Sequence, residues 1–314
     1  MARILAIGGA HIDRKGWLDS PHRPGASNPG RWEAEPGGGV FNASRNLARL
    51  GHQVTLVAPR GGDAAADLVA RAAVEAGVED CPLTFLDRAT PSYSAILEPD
   101  GNLVTALADM ALYDLVPARR LITARMRKRL SEADLLLVDS NLPESALAAL
   151  AGAAAELGLP LAVIAVSPAK VVRWRSSLDK IACLAMNSAE AAALTGGQSD
   201  GPGGWPGLLS RAGLAGGLVS AGAAPVAAFT AVATCVLTPP PLETLVDVTG
   251  AGDALAAGYL DGWLSGGSIE ANLTRGIALA RLTAGVRGPV LNDLSPALLA
   301  QAQAAMAQPA PSQF

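Results

Sequence analysis

Short apolar runs typical of β-strands alternate with longer alanine- and leucine-rich stretches of helical character along most of this chain. The strand-like runs are residues 4–7, 54–58, 135–139, 161–166, 181–186 and 217–220, and the helical stretches include residues 42–50, 64–76, 144–157 and 189–194. A strand, a helix and a second parallel strand form a unit whose helix covers the sheet. The alternation therefore predicts an α/β fold with a mostly parallel sheet between helices. Ligands of such sheets bind at the carboxyl ends of the strands.

Two stretches of different character interrupt this alternation. Residues 13–35 are polar and rich in Pro, Gly and Arg, whereas residues 83–109 contain two apolar runs around the turn Pro99-Asp-Gly-Asn102. Alternating residues on either side of such a turn predict a β-hairpin. Because long insertions in compact domains are often binding elements, we predict that both stretches form a small β-strand lid on a single domain spanning residues 1–314. The alternative is that they are surface excursions without function.

Composition restricts the class of protein and its partners. Half of the 314 residues are hydrophobic, but Gly, Pro and charged residues break the apolar runs before they reach the length of a membrane span. The net charge is −4 and no block of Lys and Arg is present, which argues against a nucleic-acid partner. The three cysteines lie far apart without a Cys-x-x-Cys pair, which argues against a disulfide framework or a structural zinc site. We expect a cytoplasmic protein that binds a small molecule.

The segment Asp247-Val-Thr-Gly-Ala-Gly-Asp253 leads directly into the apolar helical stretch 254–260. Its two glycines let backbone N–H groups approach an anion, and the start of a helix adds the positive end of the helix dipole. Asp253 falls in the first helical turn, where a carboxylate can accept a proton from an attacking hydroxyl while the amides stabilise the transferring group. The segment thus predicts a general base beside an anion hole. An ordinary helix cap is the simpler alternative.

A second glycine-rich segment, Pro36-Gly-Gly-Gly-Val-Phe-Asn42, precedes the first helical stretch. Glycines at the start of a helix permit the close approach of a hydroxyl-rich ligand, and the Asn42 amide offers it both donors and an acceptor. Taken alone, this segment is equally consistent with a tight turn and a helix cap. Two competing motifs are absent: no Gly-x-Gly-x-x-Gly follows the first strand, and no Gly-Lys-Ser/Thr follows a glycine loop. A dinucleotide-binding dehydrogenase and a P-loop kinase are therefore excluded.

Together, the Gly-Gly-x-x-x-Asn pattern that ends at Asn42 and the Asp-x-Thr-Gly-Ala-Gly-Asp pattern that ends at Asp253 resemble the two signatures of the PfkB, or ribokinase-like, family of carbohydrate and nucleoside kinases. Between them, Asn187-Ser-Ala-Glu190 resembles the family's Asn-x-x-Glu element, and residues 217–222 resemble the strand and turn that touch the nucleotide phosphates. The resemblance covers nearly the whole chain. It implies a ribokinase-like, Rossmann-like fold with a β-strand lid, and an enzyme that transfers phosphate from ATP to a hydroxyl group.

Carried over by position, the resemblance assigns a role to each matching residue. It makes Asp253 the base for the acceptor hydroxyl, with the anion hole formed by Gly250, Ala251 and Gly252. It places the acceptor against Asp13, Gly38, Gly39 and Asn42, and the nucleotide against Asn187, Ser220, Gly222 and Thr249. Glu190 is expected near Mg²⁺, directly or through water, and Asp247 matches a monovalent-cation position that implies K⁺ in several relatives. A homodimer that pairs exposed lid strands is also implied.

Four short segments resemble pseudouridine kinases, which phosphorylate the ribose 5′-hydroxyl of pseudouridine with ATP. They are residues 9–13, 27–30, 108–110 and 166–170, and they add Asn28 and Lys170 to the expected acceptor contacts. The sequence departs from this pattern at Phe41, where many such kinases have Arg beside the pocket, and at Ala165, where Pro is usual. Ribose, inosine and cytidine stay open as other acceptors. A nucleoside-binding relative without catalysis is the non-enzymatic alternative.

Several assignments have a purely structural alternative. Asn187 and Glu190 have the spacing of a helix-capping pair, and Asp13 is of a residue type common in turns. His11 is expected to be a turn or wall residue, because Asp253 is the better candidate for the base. Lys170 is equally consistent with a ligand contact and with a surface ion pair.

Overall fold

Strands and helices alternate through residues 1–306, the part of the chain that the computed structural model describes; the last residues of the predicted 1–314 domain lie outside it. The strands are β1 (Arg3–Ile7), β2 (His11–Leu18), β3 (Gly30–Gly37), β4 (Gln53–Val57), β5 (Pro59–Gly61), β6 (Glu79–Asp80), β7 (Leu83–Phe85), β8 (Ser92–Leu97), β9 (Leu103–Asp109), β10 (Leu135–Asp139), β11 (Leu161–Ile164), β12 (Cys183–Asn187), β13 (Gly217–Ser220), β14 (Val226–Phe229) and β15 (Thr234–Leu237). The α-helices are α1 (Gly39–Arg49), α2 (Ala64–Glu75), α3 (Ala111–Asp114), α4 (Ala118–Leu121), α5 (Ala124–Glu132), α6 (Glu144–Leu157), α7 (Pro168–Val171), α8 (Ser188–Thr195), α9 (Trp205–Arg211), α10 (Ala251–Leu264), α11 (Ile269–Ala284) and α12 (Pro296–Met306). Two 3₁₀ helices span Val172–Lys180 and Pro202–Gly204.

The main sheet has nine strands in the order β15-β14-β13-β12-β11-β10-β1-β4-β6. The strands from β13 to β6 are parallel, and β14 and β15 are antiparallel. All five residues of β10 are buried, because helices cover both faces of the sheet. Leu135 and Leu137 point into the apolar core on one face, while Leu136 and Val138 point into the core on the other. The predicted α/β fold with a mostly parallel sheet is confirmed.

Local end signals explain where the helices begin and end. Helix α6 stops at Gly158, which has a left-handed backbone with a φ of 63°, and α8 stops in the same way at Gly196 with a φ of 69°. Thr123 caps α5 and Ser268 caps α11, each accepting a backbone N–H with its hydroxyl oxygen. None of the helices within residues 1–306 is both long and apolar enough to cross a membrane.

A second sheet of four strands, called the lid sheet below, has the order β3-β2-β8-β9. Its strands come from both of the stretches that interrupt the α/β alternation, and β8 and β9 form the hairpin predicted around residues 99–102. The strands differ from the predicted stretches in their bounds. Strands β2 and β3 extend to His11 and Gly37, and residues 83–85 pair with β5 in a separate two-stranded sheet. That part of the predicted lid belongs to the main body of the protein.

Candidate active site

Helices α1 and α10 pack against each other, and the first turn of each contributes to one polar site. Each begins after a glycine with a left-handed backbone, Gly38 with a φ of 119° and Gly250 with a φ of 76°. A Cβ atom at Gly250 would collide with the carbonyl oxygen of Pro289, and one at Gly38 would collide with the carbonyl oxygen of Gly9. Both positions therefore require glycine for the backbone conformation and for space.

A chain of hydrogen bonds connects the two helices at this point. The side-chain amide nitrogen Nδ2 of Asn42 donates to Oδ2 of Asp253 at 2.8 Å, and Oδ1 of Asn42 accepts from Nη2 of Arg45 at 2.6 Å. Because a guanidinium group only donates, the oxygen of Asn42 must face Arg45 and its NH₂ group must face Asp253. Arg45 is itself buried, and its Nη2 also donates to the carbonyl oxygen of Pro36. This chain fixes which end of the Asn42 amide meets the carboxylate.

The Asp253 carboxyl is strongly perturbed. Burial raises its pKa to about 7, the hydrogen bond from Asn42 acts in the opposite direction, and the negative charge of Asp139 adds to the increase. A carboxyl with a pKa near 7 can accept a proton at neutral pH and still hold it strongly enough for general-base catalysis. Oδ1 of Asp253 lies 3.4 Å from the place where a Cβ atom of Gly39 would stand. The same place lies only 3.1 Å from Cγ2 of Ile164, so a side chain at position 39 would crowd both Ile164 and the carboxylate.

The backbone amides of the predicted anion hole are not equivalent. The N–H of Ala251 donates to the carbonyl oxygen of Val248 at 3.2 Å, so it is already used inside the turn. The N–H groups of Gly250 and Gly252 have no acceptor within residues 1–306. Gly252 is exposed, and a Cβ atom there would meet nothing within 4 Å. Two of the three amides predicted for an anion hole are therefore free of internal hydrogen bonds within residues 1–306, whereas the amide of Ala251 is used in the turn before α10.

Asp247 and Thr249 form a turn that is joined to the lid sheet. Oδ1 of Asp247 accepts the N–H of Thr249 at 2.9 Å and its hydroxyl at 2.6 Å. Nζ of Lys15, on β2, lies 3.2 Å from Oδ2 of Asp247 and 3.4 Å from Oγ1 of Thr249. Burial acts to raise the pKa of Asp247, but the hydrogen bonds from Thr249 and Lys15 outweigh it and lower the pKa below its ordinary value. Since an ammonium group already neutralises this carboxylate, the residues present do not fit a monovalent cation bound at Asp247.

Asp13, predicted to contact the acceptor, belongs to a partly buried group of polar side chains that the sequence did not predict as a whole. Nε2 of His11 lies 3.4 Å from Oδ1 of Asp13, and Nδ1 of His11 lies 3.1 Å from the hydroxyl oxygen of Tyr113. Asp13 also packs so closely over Gly37 that a Cβ atom there would collide with the carboxylate. His11 is buried, in agreement with its prediction as a wall residue. Tyr113 lies about a hundred residues away in sequence, and no local pattern pointed to it.

Asp139, at the end of β10, was recognised in the sequence only as the last residue of a strand. Its buried carboxylate accepts the backbone N–H of Gly9 at 2.9 Å, that of Val40 at 3.3 Å and that of Asn141 at 3.0 Å. It therefore connects the turn after β1 to the first turn of α1, where Asn42 lies. An acidic residue at the carboxyl end of a wholly apolar strand was the signal that could have identified it.

The structure separates the residues suggested by the pseudouridine-kinase segments. Nζ of Lys170 donates to Oδ1 of Asn141 at 2.6 Å, and the Asn141 amide donates in turn to Asp139, so Lys170 joins the site rather than a surface ion pair. Burial lowers the pKa of Lys170, and the negative charge of Asp139 opposes that effect.

Asn28, the other residue suggested by those segments, does not lie at the site. Its side chain is used inside the loop between β2 and β3, where it accepts the N–H of Arg23 and donates to two carbonyl oxygens.

Phe41 stands where many pseudouridine kinases have Arg, and its ring is fully buried in the apolar core. The guanidinium carbon of Arg45, one helical turn later, lies 4.5 Å from the centre of that ring. Arg45 therefore supplies a guanidinium group next to Asn42, and this group makes a cation–π contact with the Phe41 ring. A helical spacing of three residues between Asn42 and Arg45 was the available signal.

The predicted nucleotide residues lie at the ends of two neighbouring strands. Asn187 and Ser220 are register partners at the ends of β12 and β13, and Gly222 follows in an exposed turn with a φ of 61°. Asn187 and Glu190 form a capping box: Oδ1 of Asn187 accepts the N–H of Glu190 at 2.9 Å, and Oε2 of Glu190 accepts the N–H of Asn187 at 2.7 Å. The helix-capping role, which the sequence left open as an alternative for this pair, is therefore observed. Burial raises the pKa of the Glu190 carboxyl.

Within residues 1–306, no group of three or more His, Cys, Asp or Glu side chains is arranged to hold a metal ion. Mg²⁺ is commonly held by one or two carboxylates together with phosphate oxygens and water. Glu190 offers one such carboxylate at the start of α8, although the residue is buried and one of its oxygens already accepts the N–H of Asn187.

The sequence and the fold of this chain are similar to those of known carbohydrate and nucleoside kinases. The family described as pfkB family carbohydrate kinase matches residues 1–295. The chain is 30% identical over 270 residues to the pseudouridine kinase of Escherichia coli strain K12, covering 84% of each protein. A solved carbohydrate kinase from Agrobacterium tumefaciens is 50% identical, with a TM-score of 0.89 over 98% of this chain and 99% of that one. Ribokinase from Arabidopsis thaliana, solved with ribose and ATP, is 20% identical and shares the fold, with a TM-score of 0.84 over 96% and 98% of the two chains.

Proposed function

The chain belongs to the PfkB family of carbohydrate kinases, phosphotransferases that act on a hydroxyl group, and we propose that it phosphorylates the 5′-hydroxyl of pseudouridine with ATP. One observation carries the catalytic part of this proposal. Asp253, with a pKa raised to about 7, lies in the same helical turn as the unpaired amide of Gly252. The proposed base and a proposed anion-binding amide thus belong to adjacent residues in the first turn of α10.

In the proposed reaction, Asp253 accepts the proton of the acceptor hydroxyl. The hydroxyl oxygen bonds to the γ-phosphorus as the bond between that phosphorus and the leaving oxygen of ADP breaks. The amides of Gly250 and Gly252 donate hydrogen bonds to the oxygens of the transferring group, where negative charge must be stabilised. Asn42 keeps the carboxylate aimed at the hydroxyl through its 2.8 Å hydrogen bond. Catalysis then consists of positioning, charge stabilisation and one proton transfer.

For the nucleotide, we propose ATP bound along the ends of β12 and β13 and into the first turn of α10, with Mg²⁺ entering on its phosphates. When bound, Mg²⁺ offsets the negative charge of the phosphate oxygens. Ser220 and Gly222 are proposed to contact the phosphates, and Thr249 to hold the turn that presents them to Gly250. Glu190 is proposed to act on the metal through water, because one of its oxygens is already engaged by the N–H of Asn187. Both ATP and Mg²⁺ are available in the cytoplasm, the compartment that we propose.

For the acceptor, we propose contacts from Asp13 and Asn42 to the ribose hydroxyls, with Lys170 near the base. The similarity to the pseudouridine kinase of Escherichia coli over 84% of each protein supports this choice among nucleosides. The 2.6 Å hydrogen bond from Lys170 to Asn141 supports it as well, because it holds an ammonium group at the edge of the same polar site.

A screen for ADP release tests the function directly. Wild-type protein is assayed with Mg²⁺ and ATP against pseudouridine, uridine, ribose, inosine and cytidine, and the product is identified by mass spectrometry. We expect the highest kcat/KM with pseudouridine and a product carrying one phosphate at the 5′ position. A higher kcat/KM with ribose or another nucleoside would refute the proposed acceptor but not the kinase. ADP release that no acceptor increases would refute the proposed phosphoryl transfer.

We also propose that the lid sheet mediates a homodimer. Its edge strand β9 is largely exposed, with Leu107 exposed to 70%, and on the opposite edge strand, β3, Trp32 is exposed to 62%. Apolar side chains on an exposed edge favour association with a second copy. Light scattering on a sizing column should give twice the mass of the chain, and Leu107→Glu should shift it towards the monomer. A monomeric wild-type protein at assay concentration would refute this assembly.

A further inference from the structure

A strained turn lies between β11 and α7. Val166 has a φ of 70°, and within residues 1–306 it is the sole residue other than glycine with a positive φ. The N–H of Ser167 donates to the carbonyl oxygen of Ala165 at 2.9 Å, which closes a three-residue turn around Val166. This combination describes the rarer, strained form of the γ-turn. A β-branched residue is especially unfavourable in this region because its Cβ crowds the backbone.

Glycine would satisfy the local geometry of this turn without strain. The flanking contacts are made by the backbone, since Ala165 continues the sheet through a hydrogen bond from its N–H to the carbonyl oxygen of Ala185. Ser167 and Pro168 then begin α7, where proline suits the first helical position. Nothing in these contacts requires the isopropyl group. Backbone strain that local structure does not need is often found at ligand sites.

The Val166 side chain lies at the candidate active site. It is 37% exposed, whereas Ile164 and Ala165, which come directly before it, are buried. Its Cγ2 lies 3.6 Å from the place where a Cβ atom of Gly39 would stand, and Oδ1 of Asp253 lies 3.4 Å from the same place. The isopropyl group and the Asp253 carboxylate therefore both border one narrow space in front of Gly39, which Cγ2 of Ile164, 3.1 Å from the same place, borders as well.

We infer that Val166 is a specificity-determining residue, whose isopropyl group forms an apolar wall of the acceptor pocket and favours a nucleoside over a free sugar. An isopropyl group cannot form hydrogen bonds, so it recognises the apolar face of a ring rather than a hydroxyl. A nucleoside offers such a face in its base and in the ribose carbons next to it, whereas free ribose in that position is surrounded by hydroxyl groups. The strained turn is the means by which the side chain is directed towards this space. This inference rests on the proposed function of the site.

Two substitutions separate the strain from the contact. Val166→Gly removes both the isopropyl group and the strain, so we expect a higher melting temperature together with an acceptor KM about tenfold higher, as expected for the loss of an apolar side chain that the bound acceptor would cover. Val166→Ala removes most of the contact but keeps a Cβ in the left-handed region. It should raise the acceptor KM without the gain in melting temperature. The KM for ATP should stay within about twofold of the wild type in both variants.

The matched control is Val232→Gly, at a residue that is 95% exposed in a loop. This variant should leave the acceptor KM unchanged, and its melting temperature should not rise above that of the wild type. An acceptor KM for Val166→Gly within about twofold of the wild type would overturn the inferred contact. A melting temperature for Val166→Gly at or below the wild-type value would overturn the argument from strain. The ratio of kcat/KM for nucleoside to that for ribose should also fall in both Val166 variants, and an unchanged ratio would overturn the assigned specificity.

The acceptor assay keeps this inference distinct from the proposed function. KM is measured with whichever acceptor the wild-type protein phosphorylates best. If that acceptor is a nucleoside other than pseudouridine, the proposed substrate fails while the wall at Val166 is still tested. If it is free ribose, the assigned specificity of Val166 fails while the kinase assignment stands.

Discussion

Replacement of Asp253 by Asn is expected to stop catalysis and, at neutral to alkaline pH, to stabilise the folded chain. The pKa of this carboxyl is raised from its ordinary value of 3.8 to about 7, mainly by burial. The folded state therefore binds its proton more tightly than the unfolded state does. A group with a raised pKa contributes its full stability below the unfolded pKa and loses it as the pH rises through the folded value. Wild-type protein should accordingly lose stability through this group between about pH 4 and pH 7.

The magnitude follows from the two pKa values. A change from 3.8 to about 7 corresponds to ~4 kcal/mol in total, at about 1.36 kcal/mol per pKa unit. Integrated from pH 5 to pH 8, the linkage relation gives ~2.5 kcal/mol of this loss. Asn at position 253 does not titrate. The free energy of unfolding of Asp253→Asn, minus that of the wild type, should therefore increase by ~2.5 kcal/mol over this range and level off above about pH 7.

Urea unfolding at several pH values between 5 and 8 measures this difference, and the subtraction cancels all other titrating groups. Asp247→Asn is the matched control, because the pKa of Asp247 is lowered instead of raised. The stability that Asp247 contributes is lost below its ordinary pKa, so the difference between this variant and the wild type should be constant from pH 5 to pH 8. A difference for Asp253→Asn that does not change with pH would refute the argument that burial perturbs this carboxyl.

Turnover tests the catalytic half of the same prediction. Removal of a general base lowers kcat by about a hundredfold to ten-thousandfold, while acceptor binding to Asp253→Asn should be largely kept. Wild-type kcat should fall on the acid side with an apparent pKa near 7, since the base must be deprotonated to act. Turnover of the variant within about tenfold of the wild type would mean that Asp253 is not the base.

Three further predictions use the same site. Asn42→Ala removes a hydrogen bond to a charged group, worth about 1.5–3 kcal/mol, so the pKa of the base should rise and the acid limb of the pH–rate profile should move up by about one to two pH units. Gly250→Ala should lower the melting temperature, because its Cβ meets a carbonyl oxygen in left-handed backbone, whereas Gly252→Ala should fold normally and lose kcat, because its methyl group enters the anion site. Wild-type kcat should be insensitive to replacement of K⁺ by choline, and Lys15→Met should make it sensitive, because the partner of Asp247 is lost.

A surface variant serves as the control for Asn42→Ala, and a defined result would contradict each of the three predictions. Asn292→Ala, at an exposed residue, should leave the acid limb in place, and an unmoved limb in Asn42→Ala would contradict the proposed hydrogen bond. Equal loss of stability in the two glycine variants would contradict the difference in space around them. Strong activation of the wild type by K⁺ would contradict the assignment of Lys15 as the cation at Asp247, whatever the behaviour of the Lys15 variant.

Helices and strands were predictable from the sequence where an apolar pattern and a residue that ends the element occur together. Strand β10 and helix α6 have the bounds that the sequence predicts, because β10 is an unbroken apolar run and α6 lies between Pro143 and a left-handed Gly158. The lid sheet was predictable as strands but not in its limits. Residues 83–85 resemble the strands that follow them, and only the tertiary position of β5 determines that they pair elsewhere.

The site was predictable as motifs but not as contacts. The two glycine segments identified Asn42 and Asp253, yet the partners that orient them come from positions that no short pattern includes. Asp139 is held by backbone groups about a hundred residues away or more, and Tyr113 reaches His11 across a similar separation. Phe41, which comes directly before Asn42 in the motif, points into the core, and only the orientation of α1 against the sheet determines this. Asn28 matched a segment, but its amide is used by its own loop.

Two tryptophans stand on the lid sheet, which gives the protein an intrinsic optical signal for movement of that sheet. Nε1 of Trp17 donates to Glu33 at 3.2 Å, whereas the Trp32 ring lies across Gly16 with more than half of its surface in solvent. Trp174 and Trp205 are buried in the main body and are shielded from soluble quenchers. Trp263 on α10 is partly exposed, so acrylamide quenching reports chiefly on the lid sheet in a Trp263→Phe variant, in which titration with an acceptor can be followed without attaching a dye.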